Sequence, residues 1–149
     1  MELKGDASGL ASALFLDDDI SSEKATSEQL SEPLQKTLRQ LTEYFDGARQ
    51  SFDIPLNPQG TDFQKKVWSR LQEIPFSKTT SYQKMANALG DPKVIRAAAS
   101  ANGKNPISII IPCHRVIGSD GSLTGYAGGL HRKKWLLQHE SPVKQGELF

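Results

Sequence analysis

Cysteine is almost missing from this chain: its 149 residues contain one, Cys113. A single thiol excludes an intramolecular disulfide and any zinc site built on several thiolates. Long apolar runs are missing too. No stretch approaches the ~20 residues that span a bilayer, and no basic segment leads into an apolar one at the N-terminus. These absences predict a soluble, cytoplasmic protein with no membrane partner. Net charge is also small, +1 from 18 basic and 17 acidic residues, but the balance hides an asymmetry. Residues 1–60 carry −6 and residues 61–149 carry +7, which suggests an acidic front part and a rear part able to meet an anion such as nucleic acid. Apolar residues at 37% and a mean hydropathy of −0.47 are ordinary for a globular chain. They exclude collagen, a long coiled coil and wholesale disorder.

The segment Ile54-Pro55-Leu56-Asn57-Pro58-Gln59-Gly60 reads as a linker and predicts two parts, residues 1–58 and 59–149. In the first, Gly9 to Leu16 reads as a strand ending at an acidic turn, Asp17-Asp18-Asp19, with Glu2-Leu3-Lys4 as a possible edge. A polar loop and a helix from about Pro33 to Asp46 follow, with Leu30, Leu34, Leu38, Leu41 and Phe45 at helical spacing. So small a part must lean on the rest for its core. In the second, Thr61-Asp62-Phe63-Gln64 is a capping box opening a helix whose stripe is Phe63, Val67, Leu71 and Ile74, widened by Trp68. Thr80-Ser81-Tyr82-Gln83 reads as a second box. Asp91-Pro92, an N-cap followed by proline at the first helical position, starts another helix at once. Two short helices joined at Gly90-Asp91 form a helix-turn-helix pattern, which also occurs as a plain structural corner. The second helix exposes little besides Arg96, because Ala97, Ala98, Ala99, Ser100 and Ala101 follow. That smooth face suits fit to a narrow groove or tight burial, not the reading of base edges, which takes long polar side chains.

Ile107 to Ile111, bounded by Pro106 and Pro112, predicts a short buried strand that delivers Cys113-His114-Arg115 at a turn and exposes them. A thiol near an imidazole can be activated as a nucleophile. Adjacency in sequence alone does not establish this, and a lone cysteine is commonly a small buried hydrophobe.

Wider context carries more. The motif Ile111-Pro112-Cys113-His114-Arg115-Val116 resembles that of the O6-alkylguanine-DNA alkyltransferases, the methylated-DNA–protein-cysteine methyltransferases. The resemblance includes Asn105-Pro106, Gly125-Tyr126-Ala127-Gly128-Gly129 and Trp135-Leu136-Leu137 through His139-Glu140. It runs back through Arg96-Ala97, Ser81-Tyr82, Val67-Trp68 and the Thr61 box, covering residues 61–140 in order. It implies an α/β (α+β) fold: a small N-terminal strand and helix domain, shortened against the family's usual one, then a mainly helical DNA-binding domain with a helix-turn-helix, whose short strand carries the active-site cysteine. It also implies direct, single-turnover transfer of an alkyl group from O6-alkylguanine in double-stranded DNA, with O4-alkylthymine as a second candidate substrate. In that reading Cys113 is the acceptor, His114 its base through a water, Glu140 the group that orients the imidazole, and Asn105 a brace. Tyr82 crowds the flipped nucleotide and assists proton transfer. Arg96, Ala97, Ala98 and Ser100 meet the minor groove, with Arg96 filling the vacated stack. Tyr126, Ala127, Gly128 and Val116 wall the base pocket. The chain would act as a monomer, without metal or cofactor, in the cytoplasm or, in a bacterium, at the nucleoid.

The front part departs from that pattern, because relatives commonly have a longer N-terminal sheet. Some place a structural zinc there, which this sequence cannot hold: no cysteine precedes Cys113 and no histidine precedes His114. Three rival readings remain at this stage. A lesion-sensing relative would carry Trp in place of Cys113. A helix-turn-helix regulator would expose base-reading side chains. A cysteine hydrolase would need a group that resolves an acyl-enzyme.

Overall fold

The computed structural model describes residues 1–16 and 30–141. The acidic turn at 17–19 and most of the polar loop after it lie outside the described residues. β1 (Glu2–Asp6) and β2 (Gly9–Leu14) form an antiparallel hairpin with a register shift between Lys4 and Gly5. β2 then gains two partners from the rest of the chain. Leu10 exchanges backbone hydrogen bonds with Pro55 and Asn57, each 2.8 Å, and Ala13 does so with Pro106 and Ser108, each 2.8 Å. This is how the front part obtains a core: the second edge of β2 is completed by the linker and by the segment ahead of Cys113. Leu10 and Ala13 are accordingly buried together with Ile107 and Val67.

α1 (Glu32–Phe45) lies where the leucine spacing placed a helix, but it turns a different face inward. Its buried residues are Pro33, Thr37, Gln40, Leu41 and Tyr44, whereas Leu38 is 52% exposed. The polar members of that face are satisfied. Thr37 donates to the Pro33 carbonyl (2.7 Å), and Gln40 Oε1 accepts from the Asp53 amide (2.9 Å).

α2 (Asp62–Leu71) begins with both reciprocal bonds of the capping box, Gln64 N–H to Thr61 Oγ1 and Thr61 N–H to Gln64 Oε1. It buries Val67, Trp68 and Leu71, and the Trp68 indole N–H donates to the Ala101 carbonyl (2.8 Å). The second cap falls one residue later than the sequence suggests. Ser81, not Thr80, accepts from the Lys84 amide, because β3 (Thr80–Ser81) runs up to the helix and Ser81 is its last residue before α3 begins at Tyr82. α3 (Tyr82–Ala88) leads through the Asp91 cap and a 3-10 turn at Pro92–Val94 into α4 (Ile95–Gly103). Together α3 and α4 form the expected helix-turn-helix.

The run 107–111 is not the expected strand. Only Ile107 makes a bridge, to Ala13, and the chain then turns, with Ile109 at φ +74°. The side chains of Ile109, Ile110 and Ile111 are buried all the same, so the run is apolar because of burial and not because of sheet pairing. Cys113–Arg115 form a 3-10 turn after Pro112, leading into β4 (Val116–Ile117), which pairs in parallel with β3. α5 (Leu130–Glu140) closes the described chain. Among the described residues no helix is long and apolar enough to cross a membrane.

Candidate active site

The turn that carries Cys113 is held from below by Asn105. Its amide nitrogen donates to the carbonyls of Ile107 (3.2 Å) and Ile111 (2.8 Å), and its Oδ1 accepts from the Ile107 amide (2.9 Å). Three bonds from one buried side chain fix the backbone on both sides of the strained Ile109. The turn does not expose its residues as the sequence suggested: Cys113 is 4% exposed, His114 0% and Arg115 6%. Packed into the hydrophobic core, the thiol sees little solvent.

Glu140, at the end of α5, gathers the polar groups of this turn. His114 Nε2 lies 2.7 Å from Glu140 Oε2. Arg115 donates through Nε to Oε1 (2.8 Å) and through Nη2 to Oε2 (3.0 Å), and the Tyr44 hydroxyl donates to Oε2 (2.7 Å). Burial alone would raise the Glu140 carboxyl, but hydrogen bonds and charge from His114 and Arg115 outweigh it and bring the pKa down to about 2. Burial lowers the His114 imidazole, with Glu140 acting against it. A carboxylate can only accept, so the proton of a neutral His114 sits on Nε2. The lone pair is then on Nδ1, which is buried and has no hydrogen-bond partner. The imidazole is held as a base with its accepting atom free.

Burial pushes the Cys113 thiol up, while the Asn105 amide and the Lys133 ammonium work against that shift. Lys133 is fully buried. It donates to the Thr124 carbonyl (2.8 Å), which also accepts from the Tyr82 hydroxyl (3.1 Å), and its Nζ stands 5.9 Å from the centre of the Tyr82 ring. Burial brings the Lys133 pKa down to about 8, and the charge of Cys113 opposes this. The Tyr82 hydroxyl is raised, first by burial.

Between α4 and the 124–127 loop lies a cleft of about 650 Å³, lined by Tyr82, Arg96, Ala99, Asn102, Tyr126 and Ala127 among others. Cys113 is not part of its wall, but its thiol is within electrostatic reach of Tyr82, Tyr126 and Lys133. Of the residues expected on the groove-facing helix, Arg96, Ala97 and Ser100 are exposed. Ala98 is 0% exposed and cannot offer its side chain to a groove. It shares the inward face of α4 with Ala101 and Asn102. Of the expected pocket residues, Tyr126 and Ala127 line the cleft, Gly128 lies behind Tyr126, and Val116 is buried in β4 away from the lining.

Sequence reasoning missed Tyr44, which meets Glu140 across 96 residues of chain and belongs to no local motif. It also gave no role to Arg115. Lys133 had a readable signal. With Leu136, Leu137 and Glu140 it recurs at helical spacing on one face of α5, the face that proves to be buried.

Fold and site together define a helix-turn-helix protein with a buried thiol followed in the chain by an oriented base, an arrangement that suits acceptance of a group from a nucleic acid. Comparison with known proteins narrows this. The family model described as 6-O-methylguanine DNA methyltransferase, DNA binding domain, matches residues 62–142, and the ribonuclease-like domain of the same family matches residues 1–58. A methylated-DNA–protein-cysteine methyltransferase of Methanosarcina barkeri is 58% identical over 102 residues, 68% of this chain and 65% of that protein. This chain thus covers just under two thirds of that relative's length. The like-named protein of Methanosarcina mazei is 45% identical over 140 residues, 93% of this chain and 88% of its own. Crystallised Mycobacterium tuberculosis OGT in complex with DNA superposes with a TM-score of 0.79 at 40% identity, covering 97% of this chain and 89% of that one. The chain belongs to the 6-O-methylguanine DNA methyltransferase family.

Proposed function

We propose that this protein repairs DNA by taking the alkyl group of O6-alkylguanine onto Cys113, once per molecule. The observation that carries the reading is the state of His114, the residue that follows the only thiol in the chain: Nε2 is bound to the Glu140 carboxylate, while Nδ1 is buried without a hydrogen-bond partner. A base so oriented is what a thiol raised by burial needs. In the proposed step His114 Nδ1 receives the thiol proton through a water. The sulfur attacks the alkyl carbon, an S–C bond forms, and the C–O6 bond breaks with its electron pair moving onto the guanine. Tyr82 supplies the proton that neutralises the departing base. The product thioether has no labile bond to hydrolyse, so the protein is consumed by its reaction.

Duplex DNA is the proposed partner. The exposed Arg96, Ala97 and Ser100 present a small-residue face with one guanidinium, which suits a minor groove, and the cleft between α4 and the 124–127 loop has room for a base turned out of the stack. Residues 59–149 carry this chemistry, with Asn105 bracing the turn and Tyr126 and Ala127 facing the base. Residues 1–58 contribute Tyr44 to the relay. Cys113→Ser tests the reading: transfer of a labelled methyl group from a duplex should vanish while affinity for the duplex stays. Full transfer by the variant would refute it.

A further inference from the structure

The cleft wall that carries Tyr126 contains no regular secondary structure between β4 and α5, so something outside it must hold it in place. The Tyr126 hydroxyl does not serve, because it is buried near Ser108 without a well-formed hydrogen bond. The wall is gripped instead from the N-terminal side. Phe15, just past the end of β2, places its ring 6.3 Å from that of Tyr126 at 60°. Gly128 lies between them. A Cβ there would sit 2.8 Å from Phe15 Cδ2 and 2.9 Å from Tyr126 Cε2, so only glycine allows the two rings to close on the loop backbone. Arg132, in the first turn of α5, locks the arrangement. Its guanidinium carbon lies 4.9 Å from the centre of the Phe15 ring, and its nitrogens donate to the carbonyls of Leu16 (3.0 Å) and Gly128 (3.4 Å). One cation thus ties the end of the hairpin to the loop of the cleft.

We propose that Phe15 and Arg132 are positioning residues for this wall, so that the N-terminal part sets the width of the cleft and the size of alkyl group it admits. This rests on the alkyl-transfer reading above. Removing the Phe15 ring takes away the support behind Tyr126, lets the wall recede, and favours bulkier groups over methyl.

The test measures single-turnover transfer from duplexes bearing O6-methylguanine or its O6-benzyl analogue, together with affinity for undamaged duplex and the melting temperature. Phe15→Ala should slow methyl transfer by about tenfold, as expected for loss of an aromatic pair and a cation–π contact. It should raise the benzyl-to-methyl rate ratio and leave undamaged-duplex affinity unchanged. Phe15→Tyr, which keeps the ring, should restore both the rate and the ratio, a rescue that loss of stability alone does not produce. Arg132→Met leaves Phe15 in place and should shift the ratio in the same direction, which keeps the test decisive if Phe15→Ala does not fold. Wild-type rate and ratio in all folded variants would overturn the inference while leaving alkyl transfer intact. Failure of the wild-type protein to accept either group would overturn both.

Discussion

Glu140 collects His114, Arg115 and Tyr44, and its ionisation stabilises the fold as well as the imidazole. With its pKa moved from 4.5 to about 2, the ionised group contributes about 3 kcal/mol. A carboxyl depressed on folding gives that stability in full above pH 4.5 and loses it as pH falls from 4.5 towards 2. Glu140→Gln should therefore melt well below the wild-type protein at pH 7, with the gap narrowing below about pH 4; a gap independent of pH would contradict the assignment. Tyr44→Phe should cost about 1.5–3 kcal/mol in denaturant unfolding, since it removes a hydrogen bond to a charged group.

Lys133 has the opposite sign. A lysine whose pKa is lowered from 10.5 to about 8 costs stability at neutral pH, about 3 kcal/mol, and the cost fades as pH rises from 8 towards 10.5. Lys133→Met should raise the melting temperature at pH 7 and slow alkyl transfer, because the ammonium that counters the burial of the Cys113 thiol is gone. A variant that is both less stable at pH 7 and equally fast would refute this account of the residue. At this scale the sequence was informative where residues are close in the chain. Cys113, His114 and Asn105 stand in one segment, and Glu140 and Lys133 share a helix face. Tyr44 was illegible because a tyrosine on an amphipathic helix carries no mark of a partner 96 positions away.

Among the elements, capping chemistry was the most legible feature. Thr61 and Asp91 cap as their side chains dictate, whereas the cap assigned to Thr80 falls on Ser81 because extended pairing with β4 continues through Ser81 and delays the helix to Tyr82. The apolar run 107–111 misled for a physical reason: a segment buried on all sides is apolar whether or not it pairs as a strand. Its geometry depends on Asn105. Asn105→Ala removes three hydrogen bonds and should destabilise by about 3 kcal/mol in equilibrium unfolding, with a loss below 1 kcal/mol counting against the brace. Ile109 holds φ +74°, which costs about 1–2 kcal/mol for a branched residue, yet its buried side chain contributes more than that relief is worth. Ile109→Gly should accordingly destabilise the protein. On α1 the leucine stripe was offset from the buried face because satisfied polar groups, Thr37 and Gln40, share that face.

For the whole molecule, the near-zero net charge conceals two parts of opposite sign that are joined through β2, which takes backbone partners from the linker and from the segment ahead of Cys113. Those long-range pairings could not be read from local pattern; the need of the small front part to borrow a core could. The basic part should bind duplex DNA with a salt dependence set by the phosphates it neutralises, a slope of about −3 in log affinity against log salt for three or four contacts. A salt-independent affinity would contradict that expectation. The central claim concerns one atom, the Cys113 sulfur, and an intact-mass measurement after incubation with excess duplex bearing O6-methylguanine tests it most directly. The whole population should gain a single methyl group, located on the peptide containing Cys113. A protein that binds the duplex and emerges with its mass unchanged would contradict it.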